Sequence, residues 1–454
     1  MDTFIVSSFG RFVMVLFQPL FRASAWQTFL WLAWGWVMST QRHTISNYLW
    51  LTGATTLKHF SRFYVFLGGP LYTLRQRLWA RIIQQAATWV SQDEPIVLEI
   101  DDFTKKKAGR HIEGLDRYRN SAGSARQEYR TLRGVNFVLG VMRLPLSPWP
   151  THRITVPVGL ELYLKEPLAT KLQVPYCSRS TLARKIVDFV ANTLPDRALR
   201  VLTDGGYATK EFLRHLPPTV HVVSRVLVSA QLYALPAPTH TRRRGRPPRK
   251  GQLLGSPKTL ARKRHGWCKH PTEAGAQVQS WVALWHRVLP GRPIRIVVVR
   301  RQASQKAKPS PQRKRRPVVE AFFTTALTLS LAAILEAYGD RWAVEIDIRD
   351  GQAFYGLGQD QCRKRRRIVG ANTFRLAMAA ARTLWFVEHT HRTGQLDLRR
   401  YRPWYRHKVA PSQLDIVWMC REALYAAGVS PIVRFHQGVD ENHDEPEKTM
   451  PLAA

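Results

Sequence analysis

The order of strand-like and helix-like segments between residues 93 and 228 most constrains the fold of this chain. Three apolar, strand-like segments follow one another, at Ile96–Ile100, Val135–Leu144 and Ile154–Leu164. Helix-like and strand-like segments then alternate, at Thr181–Leu194, Leu199–Thr203, Thr209–Leu216 and Val220–Leu227. The order βββαβαβ predicts an α/β fold built on an open sheet.

Acidic residues stand where two of these predicted strands end. Asp101 and Asp102 follow the first strand, and Asp204 follows the fourth, with Gly205 and Gly206 behind it. Open sheets place their sites at such ends, and the glycines allow a sharp turn that exposes the carboxylate. The strand order is the one that a ribonuclease H-like core requires. Two alternatives stay open: Asp204 could cap the next helix, and either residue of the Asp101–Asp102 pair could point into the site.

A polar stripe is predicted on a helix near the end of the core. Between Tyr338 and Gln352 the sequence reads YGDRWAVEIDIRDGQ, and helical spacing groups five residues on a face about 80° wide: Tyr338, Arg341, Glu345, Arg349 and Gln352. Three aspartates, Asp340, Asp347 and Asp350, fall on the opposite face, where water is expected to solvate them. A glutamate between arginines and apolar borders indicates a metal or a bound phosphate. An amphipathic surface helix with an ion pair remains the alternative.

The amino-acid composition indicates what kind of ligand the chain binds. The chain has 69 Lys and Arg against 32 Asp and Glu in 454 residues, a net charge of +37, which predicts a polyanionic ligand. At 45% hydrophobic residues it can still bury large cores, so two or three domains are expected. Four cysteines without a CxxC pair favour neither a disulfide scaffold nor a zinc ribbon and fit a reducing cytoplasm.

Three carboxylates from distant parts of the sequence suit the cleavage of a polyanion's backbone. They can hold two divalent ions about 4 Å apart, which activate a water or hydroxyl and stabilise the leaving oxygen in an in-line phosphoryl displacement. Mg²⁺ is the natural choice because it is a hard cation that prefers oxygen ligands. Asp204, Glu345 and one residue of the Asp101–Asp102 pair are the expected ligands; the choice of Asp102 follows only from the resemblance described next.

These motifs resemble bacterial insertion-sequence transposases of the DDE type, in the group with a Tyr-Arg-Glu-Lys signature. Tyr338, Arg341 and Glu345 match that signature in type and spacing, whereas Gln352 replaces its lysine; Arg349 could supply the missing charge. EIDDFT matches the family's first acidic motif best at Asp102, and VLTDGGYATKEFL matches the second at Asp204. The resemblance covers most of residues 93 to about 390.

The resemblance implies a DNA transposase that uses two Mg²⁺ or Mn²⁺ ions. It would bind terminal inverted repeats of double-stranded DNA, cut there, and join the 3′-hydroxyls to a target, as a homodimer that holds both ends. Tyr338 and Arg341 would position the DNA end, while Trp342 either packs the helix against the sheet, which we favour, or stacks near the cut end. A nuclease that does not join, and a DNA-binding protein that no longer cuts, are the rival interpretations.

The resemblance also implies that a β-rich insertion, residues 229–330, interrupts the core. Strands are predicted at Ile294–Arg301 and Val319–Leu329. Arg244 and Arg246 lie in an Arg-Gly-Arg-Pro sequence similar to an AT-hook, although a basic loop that touches phosphates is the favoured alternative. Other basic runs lie beside the proposed site: Lys105–Lys107 with Arg110 and His111, Gln312–Pro317, and Cys362–Arg367. Of these, Lys105 and Lys106 are predicted DNA contacts.

The ends of the chain complete the prediction. Residues 1–92 have helical spacing and form either a DNA-binding bundle or a plain helical cap. The tryptophan-rich segment Ala25–Met38 is too short for a membrane span and is predicted to be a buried helix, and no export signal is recognised. Residues 331–400 complete the core, and residues 401–454 form a C-terminal segment with an acidic, disordered tail from Asp440.

Overall fold

The computed structural model describes residues 2–40, 42–119, 130–236, 248–301, 318–394, 397–400 and 402–428. Six α-helices precede the sheet: α1 (Asp2–Val6), α2 (Ser8–Phe17), α3 (Ala23–Met38), α4 (Ile45–Thr52), α5 (Ser61–Phe66) and α6 (Tyr72–Ala87). The predicted helical character of this region is therefore confirmed. Helix α3 contains the tryptophan-rich segment, and most of its residues are buried, as predicted. No helix in the described ranges is long and apolar enough to cross a membrane.

The sheet region begins with β1 (Ile96–Lys106), β2 (Asp116–Arg119), β3 (Thr131–Pro145) and β4 (Arg153–Tyr163). It continues through α7 (Glu166–Lys171), α8 (Arg179–Thr193), β5 (Leu199–Thr203), α9 (Lys210–Leu213) and β6 (Val220–Arg225). The predicted strands and helices are all present, with the short β2 and α7 as additions. Helix α9 is shorter than predicted because Arg214, the residue after it, is already extended.

The later elements are β7 (Leu232–Tyr233), β8 (Leu253–Gly255), α10 (Pro257–Leu260), β9 (Cys268–Lys269), β10 (Ala276–Leu284), β11 (Pro293–Arg301) and β12 (Val318–Thr324). Four helices follow: α11 (Leu331–Asp340), α12 (Trp342–Phe354), α13 (Arg365–Thr393) and α14 (Gln413–Ala426). Both strands predicted in the insertion are present, although β12 ends at Thr324. Arg244, Arg246, the Gln312–Pro317 run and the acidic tail lie outside the described residues.

One mixed sheet organises the core. Strand β1 pairs antiparallel with β3 and parallel with β5, β4 pairs with β3, and β6 is parallel to β5. The insertion does not form a separate sheet, because β12 pairs antiparallel with β6 and leads on to β11 and β10. The predicted α/β class is confirmed, with a sheet of twelve strands within the described ranges.

The N-terminal helices and the sheet share one hydrophobic core. Helix α13 is buried around most of its circumference, and Phe374 meets Phe29 of α3 with ring centroids 5.4 Å apart. Trp385 of α13 packs edge-on against Phe9 of α2 at 5.8 Å. A helix that is buried on most sides needs partners on most sides, and α2, α3 and α6 provide some of them.

Candidate active site

A cavity of about 560 Å³ opens where β5 ends beside the middle of β1. Four carboxylates line it: Asp101, Asp102, Asp204 and Glu345. Basic and aromatic side chains share the lining, namely Arg119, Arg179, Arg225, Arg341, Phe103 and Tyr338. Acidic groups from three remote stretches of the sequence thus meet in one place.

Strand register explains why the aspartates meet. Strands β1 and β5 run parallel with Ile100 opposite Thr203, so the residues that follow, Asp101 and Asp204, lie at the same level of the sheet. The prediction that Asp101 and Asp102 terminate the first strand is wrong. Strand β1 continues to Lys106 because its other neighbour, β3, keeps pairing as far as Gly134, whereas β5 has already ended.

Asp101 faces the helices that carry the predicted signature. Its Oδ2 lies 3.4 Å from Nη1 of Arg341, and Nη2 of the same arginine donates to Oε1 of Glu345 at 2.9 Å. Arg341 therefore bridges two carboxylates that are 244 positions apart in the sequence. Burial raises the pKa of Asp101 to about 7, and the nearby carboxylates of Asp102 and Asp204 act in the same direction.

Asp102 faces the other side of the sheet, since side chains alternate along a strand. Its Oδ2 accepts a hydrogen bond from Nδ2 of Asn136 at 3.0 Å and lies 3.1 Å from Nε of Arg179. The hydroxyl of Tyr207 donates to Oδ1 at 3.3 Å. Arg179 in turn stacks over the ring of Tyr163, 4.6 Å from its centroid. Asp102 is therefore part of a network that fixes Arg179.

Asp204 caps a short turn, not the next helix as the alternative interpretation had it, and it also lines the cavity. Its Oδ1 accepts a hydrogen bond from the Gly205 N–H at 2.6 Å, at the start of the short 3₁₀ turn Gly205–Tyr207. Its main-chain carbonyl accepts a hydrogen bond from Ser224 Oγ at 3.1 Å. The helix after the turn is capped by Thr209 instead. Capping this turn does not prevent Asp204 from acting in the cavity, because the cap uses only one of its carboxylate oxygens.

The predicted polar stripe is assembled only in part. The predicted single helix is interrupted at Arg341, between α11 and α12, and Tyr338, Arg341 and Glu345 line the cavity. Arg349 does not line it, since its side chain is 72% exposed and pairs with Asp350. Gln352 lies further along α12, with its Oε1 3.5 Å from Nζ of Lys105.

Comparison with known proteins identifies the family. Residues 15–291, more than half of the chain, match the family model described as DDE superfamily endonuclease. The chain belongs to this family. The matched segment contains Asp101, Asp102 and Asp204 and ends before α12, so it does not include Glu345.

A solved structure similar to this DDE superfamily endonuclease is a piggyBac transposase synaptic complex with hairpin DNA. Its sequence identity is 8% and its TM-score 0.41, over 90% of this chain and 74% of that one. No curated protein sequence matches. At this level of similarity, the roles of individual residues depend on the geometry of the site itself.

Helix α12 of this DDE superfamily endonuclease is rotated relative to the prediction. Asp347 and Asp350 were expected in solvent, but they are only 5% and 7% exposed, while Trp342 is 60% exposed. The favoured packing role of Trp342 is therefore wrong. The helix buries Asp347 against β4, where Thr155 hydrogen-bonds to it, and burial raises the pKa of Asp347 to about 7.

Glu99 is a buried residue that the sequence analysis missed. Its Oε2 accepts a hydrogen bond from the Val344 N–H at 2.9 Å, in the first turn of α12, which has no side-chain cap from Arg341. Its Oε1 lies 3.4 Å from Nε of Arg143, which also pairs with Asp340 at 2.6 Å. The sequence signal that could have identified Glu99 is a lone glutamate in an otherwise apolar strand, IVLEI. Glu99 joins β1 to the helix that carries Glu345.

The site's donor chemistry suits a hard cation, because carboxylate oxygens are the ligands that Mg²⁺ prefers. Across the described ranges, however, no group of three or more His, Cys, Asp and Glu side chains is arranged so that it could hold a metal ion. Arg341 provides the positive charge between Asp101 and Glu345 in this arrangement. Metal binding would have to compete with these two ion pairs.

Proposed function

We propose that this DDE superfamily endonuclease is a DNA transposase of an insertion sequence. It would bind the terminal inverted repeats of its element, hydrolyse a phosphodiester bond at each end, and join the freed 3′-hydroxyls to target DNA. The observation that carries the proposal is the shared cavity in which Asp101, Asp204 and Glu345 lie among arginines. Such a mixture suits a phosphodiester, whose reacting oxygens need activation and whose negative charge needs donors.

We infer that Asp101, Asp204 and Glu345 hold the divalent ions, Mg²⁺ or Mn²⁺. When bound, two such ions activate the attacking oxygen and stabilise the leaving oxygen. This set replaces Asp102 by Asp101, because Asp101 shares Arg341 with Glu345 whereas Asp102 is engaged by Asn136, Arg179 and Tyr207. Asp102 then acts as a positioning residue for Arg179.

The basic side chains of the cavity would hold the DNA. Guanidinium groups grip phosphate oxygens with paired N–H donors, and stacking restricts where they can point. Arg179 is oriented by Asp102 and Tyr163, and Arg225 lies 5.8 Å from the ring centroid of Tyr338. We propose that these arginines fix the phosphates on either side of the cut, with Tyr338 supporting Arg225 and Arg341.

The protein would work as a homodimer on double-stranded DNA, because two element ends must be held together for joining. We propose a bacterial cytoplasm as its setting, with the protein on the nucleoid when it is bound to DNA. Gln352 is placed beside Lys105, which supplies a positive charge near the position where the signature has lysine.

The test uses labelled DNA that carries the inverted repeats flanking the coding region, with Mg²⁺ and an unlabelled target. Cleavage followed by appearance of the label in the target would support transposition. Cleavage without joining would make the protein a nuclease, and binding without cleavage a DNA-binding protein that no longer cuts. Asp204→Asn and Glu345→Gln serve as controls, since both should bind the DNA and leave it intact.

A further inference from the structure

We propose that the DNA duplex on one side of the cut lies on a second, basic surface outside the cavity. This surface is defined by five exposed side chains, Lys106, Arg110, Arg363, Lys364 and Arg366, and we call it the β1–α13 surface. The inference rests on the proposed function and names where that same DNA continues. Its occupant is double-stranded DNA, recognised by its phosphates.

Direct bonds join the two basic runs, although about 250 residues of sequence separate them. The Glu113 N–H donates to the Arg363 carbonyl at 2.8 Å, and the Arg365 N–H donates to Oε2 of Glu113 at 2.8 Å. Lys107 and Asp360 form an almost fully buried ion pair at 3.3 Å. The loop after β1 and the start of α13 are therefore one fixed structure.

Residues of the N-terminal region also contact the α13 side of this surface. The guanidinium of Arg366 lies 4.8 Å from the ring centroid of Tyr72, at the start of α6. Gly68 is needed beside Arg367, since a Cβ there would come within 2.7 Å of the arginine Cγ. The positive charges are thus positioned by packing.

The surface keeps a strong positive excess. Two carboxylates lie beside it: Asp360 pairs with Lys107, which is outside the five, and Glu113 pairs with Lys364 at 3.1 Å, so the five cations still exceed the one carboxylate that offsets them. The start of α13, a helix of 29 residues, adds a partial positive charge. Fixed like charges repel one another, and a polyanion that releases its counterions on binding relieves that repulsion.

The distance of this surface from the cavity favours DNA as its ligand. Strand β1 runs from Asp101 in the cavity to Lys106 on the surface. At roughly 3.3 Å per residue this is about 17 Å, or about five base pairs of duplex. A helix whose scissile phosphate lies in the cavity would therefore reach the surface after about half a turn.

The experiment measures how affinity for the labelled inverted-repeat DNA changes with salt concentration. Metal is left out, so that binding is separated from cleavage. Two double variants remove one half of the surface each: Lys106→Ala with Arg110→Ala, and Lys364→Ala with Arg366→Ala. The control, Arg262→Ala with Arg264→Ala, removes two equally exposed arginines from the insertion. Hydroxyl-radical footprinting on the same DNA shows which base pairs are protected.

Each surface variant should lower the slope of log affinity against log salt by about two, because each neutralised phosphate contributes about 0.9. Both variants should lose the same protected segment, about five to ten base pairs to one side of the cut, while the control changes neither. An unchanged footprint and slope in either surface variant, at unaltered thermal stability, would overturn the inference. If the wild-type protein binds in this way but never cleaves, the surface stands and the proposed chemistry fails.

Discussion

The two faces of β1 show how neighbouring carboxylates acquire different roles. On one face, Glu99 and Asp101 point toward α11 and α12, and Asp101 pairs with Arg341, which also binds Glu345. On the other face, Asp102 points toward α8 and is held by Asn136, Arg179 and Tyr207. A pair of acidic residues in the sequence is therefore not a pair in space, and each face can be tested separately.

The largest expected effect separates Asp101 from Asp102. Asp101→Asn should lower the rate of DNA cleavage by about a thousandfold or more, because a group that supports metal-assisted chemistry contributes several kcal/mol. Asp102→Asn should cost about tenfold, since it only loosens Arg179. Single-turnover cleavage at saturating Mg²⁺ measures both rates. If Asp102→Asn is the inactive variant and Asp101→Asn still cuts, the assignment of the two faces is reversed.

Glu99 tests the same face through stability. Glu99→Ala should lower the free energy of unfolding by about 3 kcal/mol, because it leaves the buried Val344 N–H without its acceptor and removes the buried one of the two carboxyl partners of Arg143. Asp340→Asn removes the partly exposed partner of the same arginine and should cost less than about 1 kcal/mol. Urea denaturation compares the two, and equal losses would show that Glu99 does not join β1 to α12.

A pH series sharpens this result. Burial raises the pKa of Glu99 to about 8, so between pH 4.5 and 8 the folded state binds more protons than the unfolded state. The stability of the wild type relative to Glu99→Gln should therefore fall as pH rises through this range, by at most about 1.4 kcal/mol per pH unit. Thermal denaturation of both proteins at several pH values measures the difference. A difference that stays constant with pH would contradict a buried, protonatable Glu99.

On the Asp102 face, Arg179→Ala should weaken DNA binding and slow cleavage by about tenfold, in line with the loss of one charge-assisted phosphate contact. Arg179→Lys keeps the positive charge but not the paired N–H donors of the guanidinium. It should therefore restore the salt dependence of DNA binding and only part of the cleavage rate. Arg349→Ala, at an exposed position away from the cavity, is the matched control. An effect as large for Arg349 as for Arg179 would show that position in the cavity is irrelevant.

The smallest effect is expected for Trp342. Because this side chain is mostly exposed, Trp342→Ala should change the free energy of unfolding by no more than about 0.5 kcal/mol. Stacking on DNA remains its open role, and a loss of affinity for the cut end at unchanged stability would support it. A large loss of stability would instead restore the packing role.

The sequence predicted where helices and strands lie along the chain better than it predicted how they pack and pair with one another. Strand β5 has the predicted bounds, and the level of Asp204 beside β1 follows from parallel pairing. The orientation of α12 was not predictable from periodicity, because an aspartate such as Asp347 counts as polar even where Thr155 and burial accommodate it. Likewise, no local pattern shows that Arg179 would reach Asp102 or that β12 would extend the sheet beyond β6, since both depend on pairing between distant segments.

The aromatic contacts of α13 have a consequence for how this molecule can be divided. Phe374 and Trp385 use rings from α3 and α2 as part of their surroundings, so a fragment that starts at residue 93 would carry bare aromatic patches. Such a fragment would aggregate instead of behaving as a minimal nuclease. Calorimetry of the intact chain should accordingly give one endotherm for the amino-terminal helices and the face of the sheet that packs on them, since both belong to one hydrophobic cluster.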